Sequence, residues 1–119
     1  MFNVLFVCTG NTCRSSMAEI LFKEMLKREN LDGKVRVRSS GTSVYISLPA
    51  SDNAIEAVKE LGMDLTGHRS QKLDIDMLRE ADLILAMTRA HKSHILNIMP
   101  DIKDKVFTLI EYATGGEEG

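Results

Sequence analysis

A chain of 119 residues, 44% of them hydrophobic, is long enough for one domain around one core. With 15 lysines and arginines against 17 aspartates and glutamates the formal net charge is −2, and no basic stripe suited to a nucleic-acid backbone is present. No apolar run reaches membrane-spanning length, and the two cysteines, a short loop apart, cannot staple a fold; this usage fits a reducing cytoplasm and reactive thiols.

Predicted elements alternate between strand and helix. The opening Met-Phe-Asn-Val reads as strand rather than signal peptide, and residues 4–7 form an apolar run of the kind a buried strand needs. A polar loop follows, and a helix begins at residues 14–16 and runs to 31, with Met17, Leu21 and Met25 repeating beside Ala18, Phe22 and Leu26. Ser16 and Glu19 have capping-box spacing at its start. Lys23, Lys27 and Arg28 interleave with Glu24 and Glu29, as on a solvated face. Asp32-Gly33 turns the chain into an alternating strand, 34–38, which ends at Ser39-Ser40-Gly41.

After a loop holding Tyr45, Ile46 and Pro49, the stripe Ala54, Ile55, Ala57, Val58 and Leu61 predicts a helix closed by Gly62. Residues 73–80 predict a short helix, 83–87 an apolar strand, and 90–99 a helix stopped by Pro100. Residues 106–110 read as the last strand. Such alternation implies an α/β fold, a single parallel sheet with helices on both faces, spanning residues 1–119 as one domain. Ligands sit at the carboxyl ends of the strands in sheets of this kind, and Cys8 falls there.

The residues 8–15, Cys-Thr-Gly-Asn-Thr-Cys-Arg-Ser, therefore lie between a strand and a helix. Backbone N–H groups in such a loop can turn inward as a nest, and the helix N-terminus adds partial positive charge. Arg14 contributes a planar fork for two oxyanion oxygens. Fields of this sign favour the thiolate form of a cysteine. Attack by Cys8 on a bound phosphoryl group is the chemistry that results, with Gly10 allowing close backbone approach and Asn11 tolerating a left-handed backbone. A small buried cysteine beside a solvated arginine is the plain structural alternative.

With those residues in place, the chain resembles the low-molecular-weight protein phosphatases, a flavodoxin-like fold type. Residues 7–15 match the family's phosphate loop, and the likeness continues through Ser39–Thr42, Leu61–Asp64, His68 with Ser70, and Ala81–Met87. The bacterial protein-arginine phosphatases look nearest, on the loop sequence and on residues 104–112. The resemblance implies a hydrolase working through a phosphocysteine on Cys8, with Arg14 and Ser15 also catalytic. Thr9, Gly10, Asn11, Thr12 and Cys13 would bind phosphate, and Ser40 and His68 would support the loop. It implies no cofactor or metal, and partners that are phosphorylated proteins and inorganic phosphate.

Thr12 lies on the pocket wall in this resemblance. Tyrosine-directed relatives carry a larger aliphatic residue there, so a short polar side chain points to phosphoarginine over phosphotyrosine. Thr42, Ser43 and Tyr45 are candidates for the pocket border. Cys13 reads either as a redox partner that shields Cys8 through a reversible disulfide or as a small buried residue behind the loop.

The resemblance further implies an Asp-Pro loop carrying a general acid and a closing helix, and neither is present in the sequence. The expectation is a shortened product whose uncovered sheet face favours self-association. Glu117 and Glu118 are read as the carboxylates beyond the last strand, free to swing inward on Gly115-Gly116 or, more simply, as a solvated tail. Three rivals share the loop. An arsenate reductase needs further cysteines, and none follows Cys13. A sugar-transport phosphocarrier would hold phosphate without strong activation, which Arg14 argues against. A phosphate-binding or carrier protein with little turnover is the alternative reading.

Overall fold

The computed structural model describes residues 1–115. Four parallel strands, β1 (Phe2–Cys8), β2 (Val35–Gly41), β3 (Leu83–Ala86) and β4 (Val106–Thr108), form one sheet in the order β2-β1-β3-β4. The helices are α1 (Arg14–Arg28), α2 (Asp52–Lys59), α3 (Ile75–Glu80), α4 (Arg89–Ile98) and α5 (Leu109–Thr114), with a 3₁₀ segment at Pro100–Lys105. The expected parallel sheet with helices on both faces is what forms.

The alternation of side chains along β1 divides the core in two. Leu5 and Val7 join Leu78, Ile84, Ile95 and Val106 beneath α3 and α4. Val4 and Phe6 join Leu26, Val37, Leu83 and Leu85 beneath α1, where Phe6 and Phe22 meet edge to face at 6.1 Å. Every residue of β3 is buried, as a strand flanked on both sides in a two-faced sheet must be. A smaller cluster of Ala50, Ala54, Val58 and Leu65 packs with Met17 and Ile20, and so ties α2 to α1.

The strand order matters for function. From β1 the chain crosses through α1 to β2 on one side, and β3 lies on the other side of β1. A crevice therefore opens at the carboxyl ends of β1 and β3, where Cys8 ends one strand and Met87-Thr88 leaves the other.

Several boundaries differ from the sequence reading. Helix α1 stops at Arg28, and Asn30 takes the left-handed position (φ 58°) that closes it, with Leu31 N–H bonded to Leu26 O at 2.8 Å. Gly62 (φ 83°) plays the same part after α2: its N–H reaches Lys59 O and that of Met63 reaches Val58 O. The Ser16–Glu19 capping box does not form. The N-cap is Cys13, three residues before Ser16; Ser16 Oγ donates to Cys13 O, and Glu19 accepts from Ser39 and Lys23 instead. Strand β2 continues to Gly41, three residues past the alternating run, because it pairs with β1 as far as Cys8.

The largest departure is at the last strand. It ends at Thr108, whose side chain accepts from Glu111 N while Glu111 Oε1 accepts from Thr108 N, so a capping box starts α5 inside the stretch read as strand. Glu111 is thus a carboxylate beyond the strand, contrary to the sequence reading, and it is tied to Lys92 at 2.6 Å. Glu117 and Glu118 lie outside the described residues.

Candidate active site

The loop after β1 is held from outside by its carbonyl groups. Cys8 O accepts from Thr42 N (2.9 Å), Thr9 O from Ser43 N (3.0 Å) and Thr12 O from Ser51 N (2.8 Å). Asn11 O lies 2.6 Å from His68 Nε2, which must donate because a carbonyl can only accept. In a trans peptide the N–H of the next residue points opposite to the carbonyl, and no cis peptide is present among the described residues. The N–H groups of Thr9, Gly10, Thr12 and Cys13 consequently point toward the concave side. The first turn of α1 adds more, since its leading N–H groups have no intrahelical acceptor. The predicted nest is thus a product of four outward carbonyl bonds.

Cys8 is buried at the floor of this cradle. Its sulfur accepts from Asn11 N at 3.2 Å and lies 2.8 Å from Ser15 Oγ. Asn11 Nδ2 donates to Ser15 Oγ at 2.8 Å, so the serine's own proton is left to point at sulfur. Asn11 N and Ser15 Oγ thus converge on the one sulfur. Asn11 is fully buried, sits at φ 56° as its residue type permits, and is oriented by Gln71 N donating to Oδ1 at 2.9 Å. Asn11, Ser15 and His68 therefore come together as the sequence suggested.

Arg14 opens α1 and is exposed at the mouth, with Thr9, Gly10 and Cys13 also exposed and Thr12 half-buried. Exposure of Cys13 removes the reading of it as a small buried residue, and both cysteines are free thiols. Tyr45, 90% exposed, stands clear of the core, while Ser43 borders the loop through its bond to Thr9.

One expectation needs correction. Ser40 is buried opposite Val7, but its hydroxyl has no hydrogen-bond partner, because Asn11 is oriented by Ser15 and Gln71 without it. At Gly10 a Cβ would meet only Thr12 Oγ1 at 3.7 Å, an ordinary contact, so it is approach to a bound anion, not the protein's own packing, that glycine would serve there. The demanding glycine is Gly41. A Cβ on it would lie 2.4 Å from Thr9 O and 2.7 Å from Val44 Cγ2, so only hydrogen lets β2 pass this close to the loop.

Sequence reasoning missed Gln71 and Ser51, whose contributions are backbone N–H groups and leave no residue-type signal. It also missed His91, which had one. Thr88 follows an apolar strand and precedes a helix with histidine three residues on, so an N-cap at the carboxyl end of β3 was legible. His91 is buried on α4, with Nε2 2.7 Å from Thr9 Oγ1 and Nδ1 2.9 Å from Thr88 Oγ1. Burial lowers its pKa from the ordinary histidine value, and the positive charges of Arg14 and His94 act in the same direction.

A parallel sheet whose first strand ends in a thiol, wrapped by an inward-facing amide loop and an arginine at a helix start, defines a cysteine-based phosphate-loop protein. The sequence pattern of the low molecular weight phosphotyrosine protein phosphatases matches residues 3–119, and the chain belongs to that family. It is similar to a protein-arginine-phosphatase of Bacillus subtilis, 47% identical over 95% of this chain and 73% of the relative. It is also similar to the low molecular weight protein-tyrosine-phosphatase Ptp of Acinetobacter johnsonii, 36% identical over 90% of this chain and 71% of the relative. Among solved structures, a cysteine-to-serine mutant of the YwlE arginine phosphatase with a phosphorylated active-site serine superposes with a TM-score of 0.91. That match has 44% identity and covers 99% of this chain and 75% of the other.

Proposed function

We propose that this protein is a cysteine-dependent protein phosphatase that hydrolyses phosphoarginine through a phosphocysteine on Cys8. The observation that carries this reading is the Cys8 sulfur at the floor of the amide cradle, accepting from Asn11 N and facing the Ser15 hydroxyl. The thiolate attacks phosphorus, the S–P bond forms as the P–N bond breaks, and the departing guanidine nitrogen takes up a proton from solvent water. Arg14 and the inward N–H groups stabilise the equatorial oxygens as charge develops on them. Water then attacks phosphorus, the S–P bond breaks, and inorganic phosphate leaves with the thiolate restored. Two observations support phosphoarginine over phosphotyrosine: the short hydroxyl side chain of Thr12 in the loop and the similarity to a protein-arginine-phosphatase.

Catalytic efficiencies on a phosphoarginine-containing and a phosphotyrosine-containing protein, compared side by side, test the reading. Wild type is expected to favour phosphoarginine, Thr12→Ile to shift the ratio toward phosphotyrosine, and Cys8→Ser to abolish turnover of both. Wild-type preference for phosphotyrosine would overturn the substrate assignment, and residual turnover in a clean Cys8→Ser preparation would overturn the mechanism.

A further inference from the structure

The contact between Thr9 and His91 joins the phosphate loop to the opposite wall of the crevice. Thr9 follows Cys8 directly and is exposed at the mouth. His91 belongs to α4, which starts at the carboxyl end of β3, and is buried with 7% of its surface exposed. Their side chains meet at 2.7 Å, a span of 82 residues along the chain. The chemistry described so far uses the Thr9 backbone N–H but neither of these two side chains.

One tautomer of His91 gives every proton in this chain of contacts an acceptor. Thr88 Oγ1 caps α4 by accepting from His91 N at 3.3 Å, and the same oxygen lies 2.9 Å from His91 Nδ1. The hydroxyl proton of Thr88 finds an acceptor if it points at Nδ1, which leaves Nδ1 bare and puts the ring proton on Nε2. Nε2–H then donates to Thr9 Oγ1. With its oxygen accepting from Nε2, Thr9 must direct its own proton elsewhere, and Thr9 is exposed at the mouth of the cradle. In the reverse arrangement, Nδ1–H would donate to Thr88, and the Thr88 proton would be left without the imidazole as acceptor. Thr9 would then turn lone pairs toward a bound anion. A doubly protonated ring would still donate from Nε2, so the polarity of the Thr9 hydroxyl does not change with ring charge.

We propose that His91 is a positioning residue that sets the Thr9 hydroxyl as a hydrogen-bond donor to an oxygen of the phosphoryl group bound over Cys8. The proposal rests on the cradle being a phosphate site. Burial and the nearby Arg14 charge both favour the neutral ring, in keeping with one bare nitrogen facing Thr88. A hydroxyl donor to an anion is worth about 1.5–3 kcal/mol, or roughly 10- to 150-fold in binding. That donor would add side-chain specificity to a cradle otherwise made of amides and Arg14.

The test is a double-mutant cycle read as binding of inorganic phosphate to the Cys8→Ser protein, so that it is independent of turnover. In that background Thr9→Val is expected to weaken phosphate binding about tenfold or more, while Thr9→Ser retains it. His91→Leu should weaken binding severalfold and His91→Gln, whose amide can donate, should restore most of the loss. His91→Leu should add nothing once Thr9 is valine. Unimpaired phosphate binding by Thr9→Val would overturn the proposal, as would a His91→Leu loss that persists in full beside Thr9→Val. If the Cys8→Ser protein binds no phosphate at all, the cradle itself is not a phosphate site and the premise falls with it. Should His91→Leu not fold, the Thr9→Val and Thr9→Ser pair still decides the matter.

Discussion

The phosphate loop and the groove on the α1 face both grow out of β1, and they are held in opposite ways. The loop is eight consecutive residues whose buried polar atoms meet named partners at 2.6–3.2 Å. The groove gathers side chains from several elements, Phe2, Leu21, Met25, Leu31, Leu109 and Tyr112 among them, around about 750 Å³ of open space. Met25 is 59% exposed and Tyr112 52%. Hydrogen bonds are directional and fix positions to a fraction of an ångström, whereas apolar contact is non-directional and sets only area. The loop therefore carries geometry, and the groove carries unspent hydrophobic surface. Changes in the first should break chemistry, and changes in the second should alter association.

Gly41→Ala is expected to break the loop most severely. The added carbon would sit 2.4 Å from a backbone oxygen that is itself held by Ser43, so β2 or the loop must move. Overpacking of this kind costs about 1–3 kcal/mol, and a shift of about 1 Å at reacting groups can cost roughly a hundredfold in rate. Denaturant unfolding together with kcat/KM measures both losses. Near-wild-type values would mean that the close approach of β2 does not govern the loop.

The groove gives the contrasting case. Leu21→Lys with Met25→Glu should leave kcat/KM for a small aryl phosphate within about twofold, since both side chains lie on the α1 face away from the loop. The same pair should lower self-association of the wild-type protein, because an exposed apolar patch of this kind favours contact between copies. Sedimentation velocity over a range of concentrations reads the change. A wild-type protein that is monomeric at every concentration would remove association from the comparison.

The smallest effect concerns acid. His91 has a pKa below its unfolded value, so the unfolded chain binds more protons as pH falls through the ordinary histidine range. Its contribution to stability is present above about pH 6.5 and is lost progressively as pH falls toward the folded pKa. Urea unfolding at pH 7.5 and pH 5.5 should show a larger drop for wild type than for His91→Gln. Equal drops would mean that burial of this ring is not coupled to folding.

Much of this protein was legible in its sequence. The apolar run before Cys8, the helical stripe after Arg14 and the alternation of later elements determined a parallel sheet with the thiol at a strand end, because local periodicity reports burial directly. Asn11 could be read as a loop residue because its side chain tolerates a left-handed backbone, and Ser15 through the family resemblance. Tertiary structure alone decided the rest. The amides turn inward because Thr42, Ser43, Ser51 and His68 hold the carbonyls outward, and three of those bonds come from backbone N–H groups that every residue but proline possesses. The packing need for glycine at Gly41 left no mark in the sequence, since it arises where two distant segments touch. His91 reaches Thr9 only because β3 was placed beside β1, a pairing set by the packing of both sheet faces and not by any pattern near residue 91.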